Sequence, residues 1–318
     1  MRTRHGGPRR GWLALLWVTV ACLSARGAEA ERLRVLTSFL PVYCFTAGVA
    51  GDLADVQNLL PGAVGPHDYQ PTRSDYDKLA AARILVVNGL KLEDWLQPML
   101  KSRPGLRPIT VVPLSAGMDP WLIREVPGLD LLQGKGGKEP REHAEGDPNP
   151  HVWLDPALAA HGVTNILRAL QQADPANAGG YESNAVRYVE RLQRLDAELR
   201  SMLAPVRSIP FIAYHDAFVY PARRYGLNVA AVIEQVPEVT PSLRYQGALR
   251  TLIREKKVRA IFAEPQFPRK IAEQLSADSG IPLGFLDTLE TPASGRLTPS
   301  AYEEGMRANA RVLANLLK

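Results

Sequence analysis

Two rhythms of apolar residues run along this chain. Short apolar runs at 32–38, 56–60, 84–88 and 110–114 have the length and β-branched content of buried strands, with stretches between them long enough for helices. The same alternation restarts at 210–214, 227–233, 258–263 and 282–286 and ends in a helix from about Thr298. Strands alternating with helices predict mainly parallel sheets flanked by helices, and the restart predicts two such α/β lobes. Between them Tyr181, Ala185, Tyr188, Leu192, Leu195, Leu199 and Met202 recur at steps of three and four, over a stretch from 185 to 203 free of glycine and proline. One long helix joining the lobes is the consequence, with Pro205 marking its stop.

The first thirty residues stand outside this pattern. Arg2, Arg4, Arg9 and Arg10 precede an apolar stretch from 12 to 23 and then Ala28-Glu29-Ala30, the layout of a secretory signal. The division predicted is a signal peptide at 1–30, a first lobe at 31–176, a linker helix at 177–205 and a second lobe at 206–318. A twin-arginine signal around Arg9-Arg10 and a lipid anchor on Cys22 are weaker readings of the same segment, because Ala-x-Ala fits ordinary cleavage and Thr19 suits a lipobox poorly. The apolar stretch is shorter than the roughly 20 residues a spanning helix needs, so no direct membrane insertion of the mature chain is expected.

Charge narrows the function classes. The formal net charge is +5, but residues 1–30 hold five arginines and one acid, leaving 33 basic and 32 acidic residues. A mature chain near neutrality, with no basic stripe interleaved with aromatics, gives nucleic acid no electrostatic footprint. Cys44 is then the one cysteine left after the signal, in an apolar helical run where a buried, inert thiol is expected. The segment 133–150, rich in Gly, Lys, Glu and Pro, reads as a mobile loop.

Candidate chemistry lies with the histidines. His67 follows the run 56–60 through a Pro/Gly-rich turn, His215 directly follows 211–214, and His151 lies just past the polar loop. Acids stand at equivalent strand ends in the second lobe, Glu264 after 258–263 and Asp287 after 282–286. In open α/β sheets ligands bind beyond the carboxyl ends of strands. Three imidazoles and a carboxylate make a closed tetrahedral set for Zn²⁺, though placement alone leaves metal ligation no better supported than a set of ordinary polar residues.

The local sequences resemble the zinc- and manganese-binding class of ABC-transporter periplasmic substrate-binding proteins. His67-Asp68-Tyr69-Gln70-Pro71-Thr72, followed by Asn88-Gly89-Leu90-Lys91-Leu92-Glu93-Asp94-Trp95, is similar to the first ligand motif of that family, and Asn149-Pro150-His151-Val152-Trp153-Leu154-Asp155-Pro156 to the second. His215-Asp216-Ala217-Phe218 with Ala222-Arg223-Arg224-Tyr225-Gly226-Leu227 resembles the third, and Leu286-Asp287-Thr288-Leu289 the fourth. The motifs stand in order over effectively the whole chain after the signal. The resemblance implies two α/β lobes bridged by a long helix, a metal in the interlobe cleft held by His67, His151, His215 and Asp287, and a monomer that captures Zn²⁺ in the periplasm and delivers it to an ABC-type permease. Mn²⁺ is the alternative cargo, disfavoured because manganese-type relatives commonly carry a carboxylate where His215 stands.

The chain departs from that family at two points: 133–150 is short with His143 as its one histidine, and Pro66 stands where some relatives place a carboxylate. A zinc hydrolase is disfavoured by a fourth protein ligand and by the absence of HExxH. A metal-dependent adhesin remains a rival that sequence does not address. Asp155 before Pro156 reads as a helix N-cap, His161 as a surface residue, and Glu264 as an acid that fixes a ligand histidine rather than binding metal itself.

Overall fold

The computed structural model describes residues 32–62, 64–67, 69–102, 108–124, 146–234, 240–292 and 297–318, together with Thr3. The first rhythm becomes β1 (Leu33–Thr37), α1 (Leu40–Ala50), β2 (Ala54–Asn58), α2 (Arg73–Ala81), β3 (Ile84–Val87), α3 (Leu96–Lys101) and β4 (Thr110–Pro113). Their sheet has the order β2-β1-β3-β4 with every pair parallel. β3, Ile-Leu-Val-Val, is buried at every position, as a central strand covered on both faces must be.

Two helices follow without an intervening strand, α4 (Pro156–Ala173) and α5 (Ala178–Leu203). The start of α4 is set locally: the Asp155 carboxylate accepts from the Ala157 amide at 2.9 Å, and Pro156 supplies a pre-set φ where no amide partner is needed. The apolar positions of α5, Tyr181, Ala185, Tyr188, Leu192, Leu195, Leu199 and Leu203, are all buried, against α1, α4 and α9.

The second rhythm gives β5 (Pro210–Ala213), α6 (Val219–Tyr225), β6 (Asn228–Val232), α7 (Leu243–Glu255), β7 (Ala260–Ala263), α8 (Lys270–Ser279), β8 (Leu283–Phe285) and α9 (Ala301–Leu316). The order β6-β5-β7-β8 repeats that of the first sheet, again parallel throughout. Alternation along β5 and β7 partitions two cores. Phe211, Ala213, Ala260 and Phe262 join a large core that also holds Leu36, Phe45 and Leu85 of the first sheet's half, whereas Ile212, Tyr214, Ile261 and Ala263 pack with Tyr245, Leu249 and Leu275 of the outer helices.

In each sheet the chain reverses its direction of travel between the first and third strands, β1/β3 and β5/β7. A crevice opens beyond the carboxyl ends of strands at such a switch point. Among the described residues no helix is long and apolar enough to cross a membrane.

Candidate metal centre

Strand adjacency builds the second lobe's share of the site. β5 and β7 are parallel neighbours, so the residues that follow them leave the sheet side by side. His215 Nδ1 lies 2.5 Å from Glu264 Oε1, with both side chains buried. A carboxylate only accepts, so with Glu264 ionised His215 carries its proton on Nδ1 and turns the Nε2 lone pair into the cleft. Burial pushes the Glu264 carboxyl up, and the neighbouring His215 imidazole opposes that push.

His151 stands at the head of a short turn before α4, and it too has its Nδ1 committed. Asn149 Oδ1 accepts from the His151 backbone amide at 3.1 Å and from Nδ1 at 3.0 Å. The amide is oriented by its other end, since Asn149 Nδ2 donates to the Asp216 carbonyl in the second lobe at 3.1 Å. His151 Nε2 therefore faces His215 Nε2, at 3.2 Å.

His67 arrives on the loop between β2 and α2. That loop is closed by Asp75, whose Oδ2 accepts from the Tyr69 hydroxyl at 2.6 Å, the Thr72 amide at 2.8 Å and the Thr72 hydroxyl at 2.7 Å, a capping box that also starts α2. Burial opposes the charge on Asp75, but the Tyr69 and Thr72 donors outweigh it and hold the carboxyl below its ordinary value.

Glu290 supplies the fourth corner. Its carboxylate is 1% exposed, and Oε1 lies 3.3 Å from His67 Nε2 and 3.7 Å from His151 Nε2. Burial alone would raise this carboxyl; the His67 and His151 imidazoles overcome it and hold the group well below the usual carboxylate range. Ligand atoms of His67, His151, His215 and Glu290 all fall within 4.8 Å of one another. Bonds of about 2.0 Å around a tetrahedral Zn²⁺ set ligand atoms roughly 3.3 Å apart, close to the 3.2, 3.3 and 3.7 Å found for His151–His215, His67–Glu290 and His151–Glu290.

The structure thus gathers the three sequence-predicted histidines and replaces Asp287 with Glu290 in the cluster. Asp287 is engaged in shaping the turn instead. Its Oδ1 accepts from the Leu289 amide at 2.8 Å, while its backbone N–H and C=O are held by Asn309 on α9 at 2.9 and 2.6 Å. Leu289 takes a left-handed φ of 62°, which turns the chain and delivers Glu290 to the cleft. Strand-end position in the sequence singles out Asp287 and not Glu290 three residues on; a leucine in the left-handed region gives no sequence signal of the turn that brings Glu290 to the histidines.

The other expectations fall as follows. Asp155 caps α4 and also meets Arg224 Nε at 3.2 Å. His161 stays off the site, within 3.0 Å of the Ala116 carbonyl. Cys44 is buried, and burial pushes its thiol up to about 12, which keeps it an inert thiol at neutral pH. His143 and most of the polar loop lie outside the described residues.

The chain is similar to known proteins along most of its length. The family described as ZnuA, zinc-uptake complex component A, periplasmic, matches residues 35–316. A high-affinity zinc uptake system protein ZnuA of Bacillus subtilis is 32% identical over 273 residues, covering 83% of this chain and 80% of that protein. A zinc-binding protein AdcA of Streptococcus pyogenes is 31% identical over 265 residues, 81% of this chain, and the match spans about half, 51%, of AdcA. Among solved structures, the substrate-binding protein FpvC of Pseudomonas aeruginosa in complex with Mn²⁺ superposes with a TM-score of 0.75 at 27% identity, covering 90% of this chain and 98% of that one. The chain belongs to the ZnuA family, the periplasmic component A of zinc-uptake complexes.

Proposed function

We propose that this chain is exported to the periplasm, captures one Zn²⁺ through His67, His151, His215 and Glu290, and passes it as a monomer to an ABC-type permease. The lobes at 31–176 and 206–318 contribute ligands from either side of the helix-centred linker at 177–205. The observation that carries the reading is the pair of imidazole nitrogens, His151 Nε2 and His215 Nε2, facing each other at 3.2 Å while both Nδ1 atoms are turned to acceptor oxygens. Such a pair, with a buried carboxylate beside it, requires a cation between its members, a proton or a metal ion.

Capture rather than catalysis follows from the ligand count. Catalytic zinc keeps a coordination position open for water, and four protein ligands close it. The zinc is cargo, so its pathway is capture and release.

Calorimetric titration of chelator-stripped protein should give one tight zinc site per chain. Simultaneous His67→Ala and His215→Ala replacement should abolish it, and unchanged tight binding would refute the assignment. Glu290→Gln should weaken binding by at least roughly 10- to 100-fold, the cost of losing even a partner that orients a metal ligand. Asp287→Asn, which keeps an acceptor for the Leu289 amide, should cost much less, and the reverse order would return Asp287 to the ligand set.

A further inference from the structure

We propose that the loop 88–95, beyond β3, is a positioning element that seats both first-lobe histidines at once, each through the carbonyl of the proline before it. Asn88, Glu93 and Trp95 carry the role, which rests on the zinc-site reading above.

The loop leaves β3 at the switch point of the first sheet, where the second sheet has its own buried glutamate against His215. In the first lobe no ligand follows the strand directly; the ligands come from two segments flanking the loop. Trp95 Nε1 donates to the Pro66 carbonyl at 2.7 Å, one residue before His67. Asn88 Nδ2 donates to the Pro150 carbonyl at 2.9 Å, one residue before His151. Lys91 Nζ meets both carboxylate oxygens of Asp147 at 2.9 Å, adding an exposed tie to the second segment.

The two proline carbonyls are effective handles. Proline has no amide hydrogen with which to anchor its own segment. The carbonyl of Pro66 and the nitrogen of His67 share one planar peptide unit, as do those of Pro150 and His151. Holding the oxygen fixes the plane from which each histidine Cα springs, and so the direction in which its ring sets out.

The loop is itself held rigidly. Glu93 Oε1 accepts from the Ser38 hydroxyl and the Asn88 amide, both at 2.7 Å, and Oε2 accepts from the Gly89 amide at 3.0 Å. These donors come from the ends of β1 and β3, so Glu93 staples the switch point shut. Gly89, Leu90 and Lys91 have consecutive positive φ of 84°, 58° and 69°. A leucine and a lysine in that region are strained, and such strain persists where surrounding structure over-determines it. A side chain at residue 89 would meet Ser115 Oγ at 2.8 Å from its Cβ, so the loop also needs its glycine.

The test uses Trp95→Phe, which keeps an aromatic ring against Tyr69, at 5.0 Å between centroids in the native protein, and deletes the N–H donor. Zinc affinity is measured by chelator competition in the native and His67→Ala backgrounds, alongside the thermal midpoint of the metal-free protein. Trp95→Phe should weaken zinc by roughly 10-fold or more in the native background, the scale for groups that orient metal ligands. It should add no further loss once His67 is gone. Asn88→Ala, acting on His151, should retain its effect in the His67→Ala background. If Asn88→Ala does not fold, the two Trp95→Phe measurements decide the matter by themselves. An equal loss from Trp95→Phe in both backgrounds, or no loss in the native one, overturns the proposal. Unchanged affinity in His67→Ala alone would instead overturn the zinc-site reading, and this inference with it.

Discussion

Glu93 and Glu264 sit at matching places, each buried at the switch point of its sheet, yet their neighbours give them different roles. Glu264 meets an imidazole and fixes its tautomer, whereas Glu93 meets backbone amides and a hydroxyl. Burial raises Glu93 from 4.5 to about 7, with the Asn88 amide and Ser38 hydroxyl opposing the rise. Between those values the folded protein binds more protons at this group than the unfolded chain, so stability falls as pH rises through the window and levels above it. Relative to Glu93→Gln, the metal-free native protein should lose up to about 1.4 kcal/mol per pH unit from about pH 4.5 to 7. Urea denaturation of both proteins across that range checks this, and parallel pH profiles would contradict it. Zinc selectivity belongs to this scale too. Three imidazoles and one carboxylate suit Zn²⁺, which also stands above Mn²⁺ in intrinsic affinity for such donors. His215→Glu should therefore shift the Zn²⁺/Mn²⁺ affinity ratio towards manganese in competition with a shared chelator. Binding should weaken as pH falls through the histidine range, because each ligand imidazole must shed its proton. The histidines were legible in the sequence because each stands in a recognisable strand-end or motif context; Glu290 was not, because the turn that delivers it depends on Asn309 on α9, a partner 22 residues away.

At the scale of elements, periodicity placed all eight strands to within a few residues, since short apolar runs bounded by turns leave little else to form. The linker helix begins earlier than the glycine-free stretch implies, at Ala178, because Gly179 and Gly180 are accommodated in its first turn with Gly180 close to Leu53. What the patterns did not reveal was how elements are tied across the chain. Arg224 of α6 makes a bidentate pair with Asp196 of α5 at 2.6 and 2.7 Å and reaches the α4 cap Asp155 at 3.2 Å. Burial opposes the Asp196 charge, but Arg224 outweighs it and lowers the carboxyl. This one guanidinium connects the helix after His215, the linker, and the helix after His151. Arg224→Met should destabilise the fold by about 1–3 kcal/mol, since it removes the shared cation from the buried Asp155 and the partly buried Asp196. It should also speed zinc dissociation by loosening His151 against His215. Stopped-flow chelation measures the rate, and an unchanged rate alongside the stability loss would limit Arg224 to holding the fold.

The whole molecule decides how far the cleft can open. Sequence alternation predicts two α/β lobes, and the largest apolar cluster among the described residues runs through both halves, with Phe39, Phe45 and Leu85 in the same body as Phe211, Phe262 and Leu313. Hydrogen bonds cross beside the metal cluster as well: Tyr220 to the Asn149 carbonyl at 2.7 Å, Trp153 Nε1 to the Thr288 carbonyl at 2.8 Å, and Tyr302 to the Trp153 carbonyl at 2.7 Å. The 26 residues of α5, about 39 Å at 1.5 Å per residue, pack on α1 and α4 from one half and α9 from the other. A helix bends sharply at proline, at glycine or serine pairs, or at a bulge, and from Tyr181 to Leu203 α5 has none of the first two. Opening by tens of degrees would have to split a continuous core and bend that helix. Release of zinc should instead come from local movement of ligand-bearing loops, and the 287–290 turn is the place to look because Leu289 there holds a left-handed φ of 62° next to Glu290. Crystal structures or solution scattering of metal-free and zinc-loaded protein should therefore differ by no more than a few degrees of lobe rotation, and Leu289→Gly, which relieves the positive φ and also removes a buried apolar side chain, should change the zinc dissociation rate more than it changes the scattering profile. A large rotation on zinc removal would place the hinge in α5 after all.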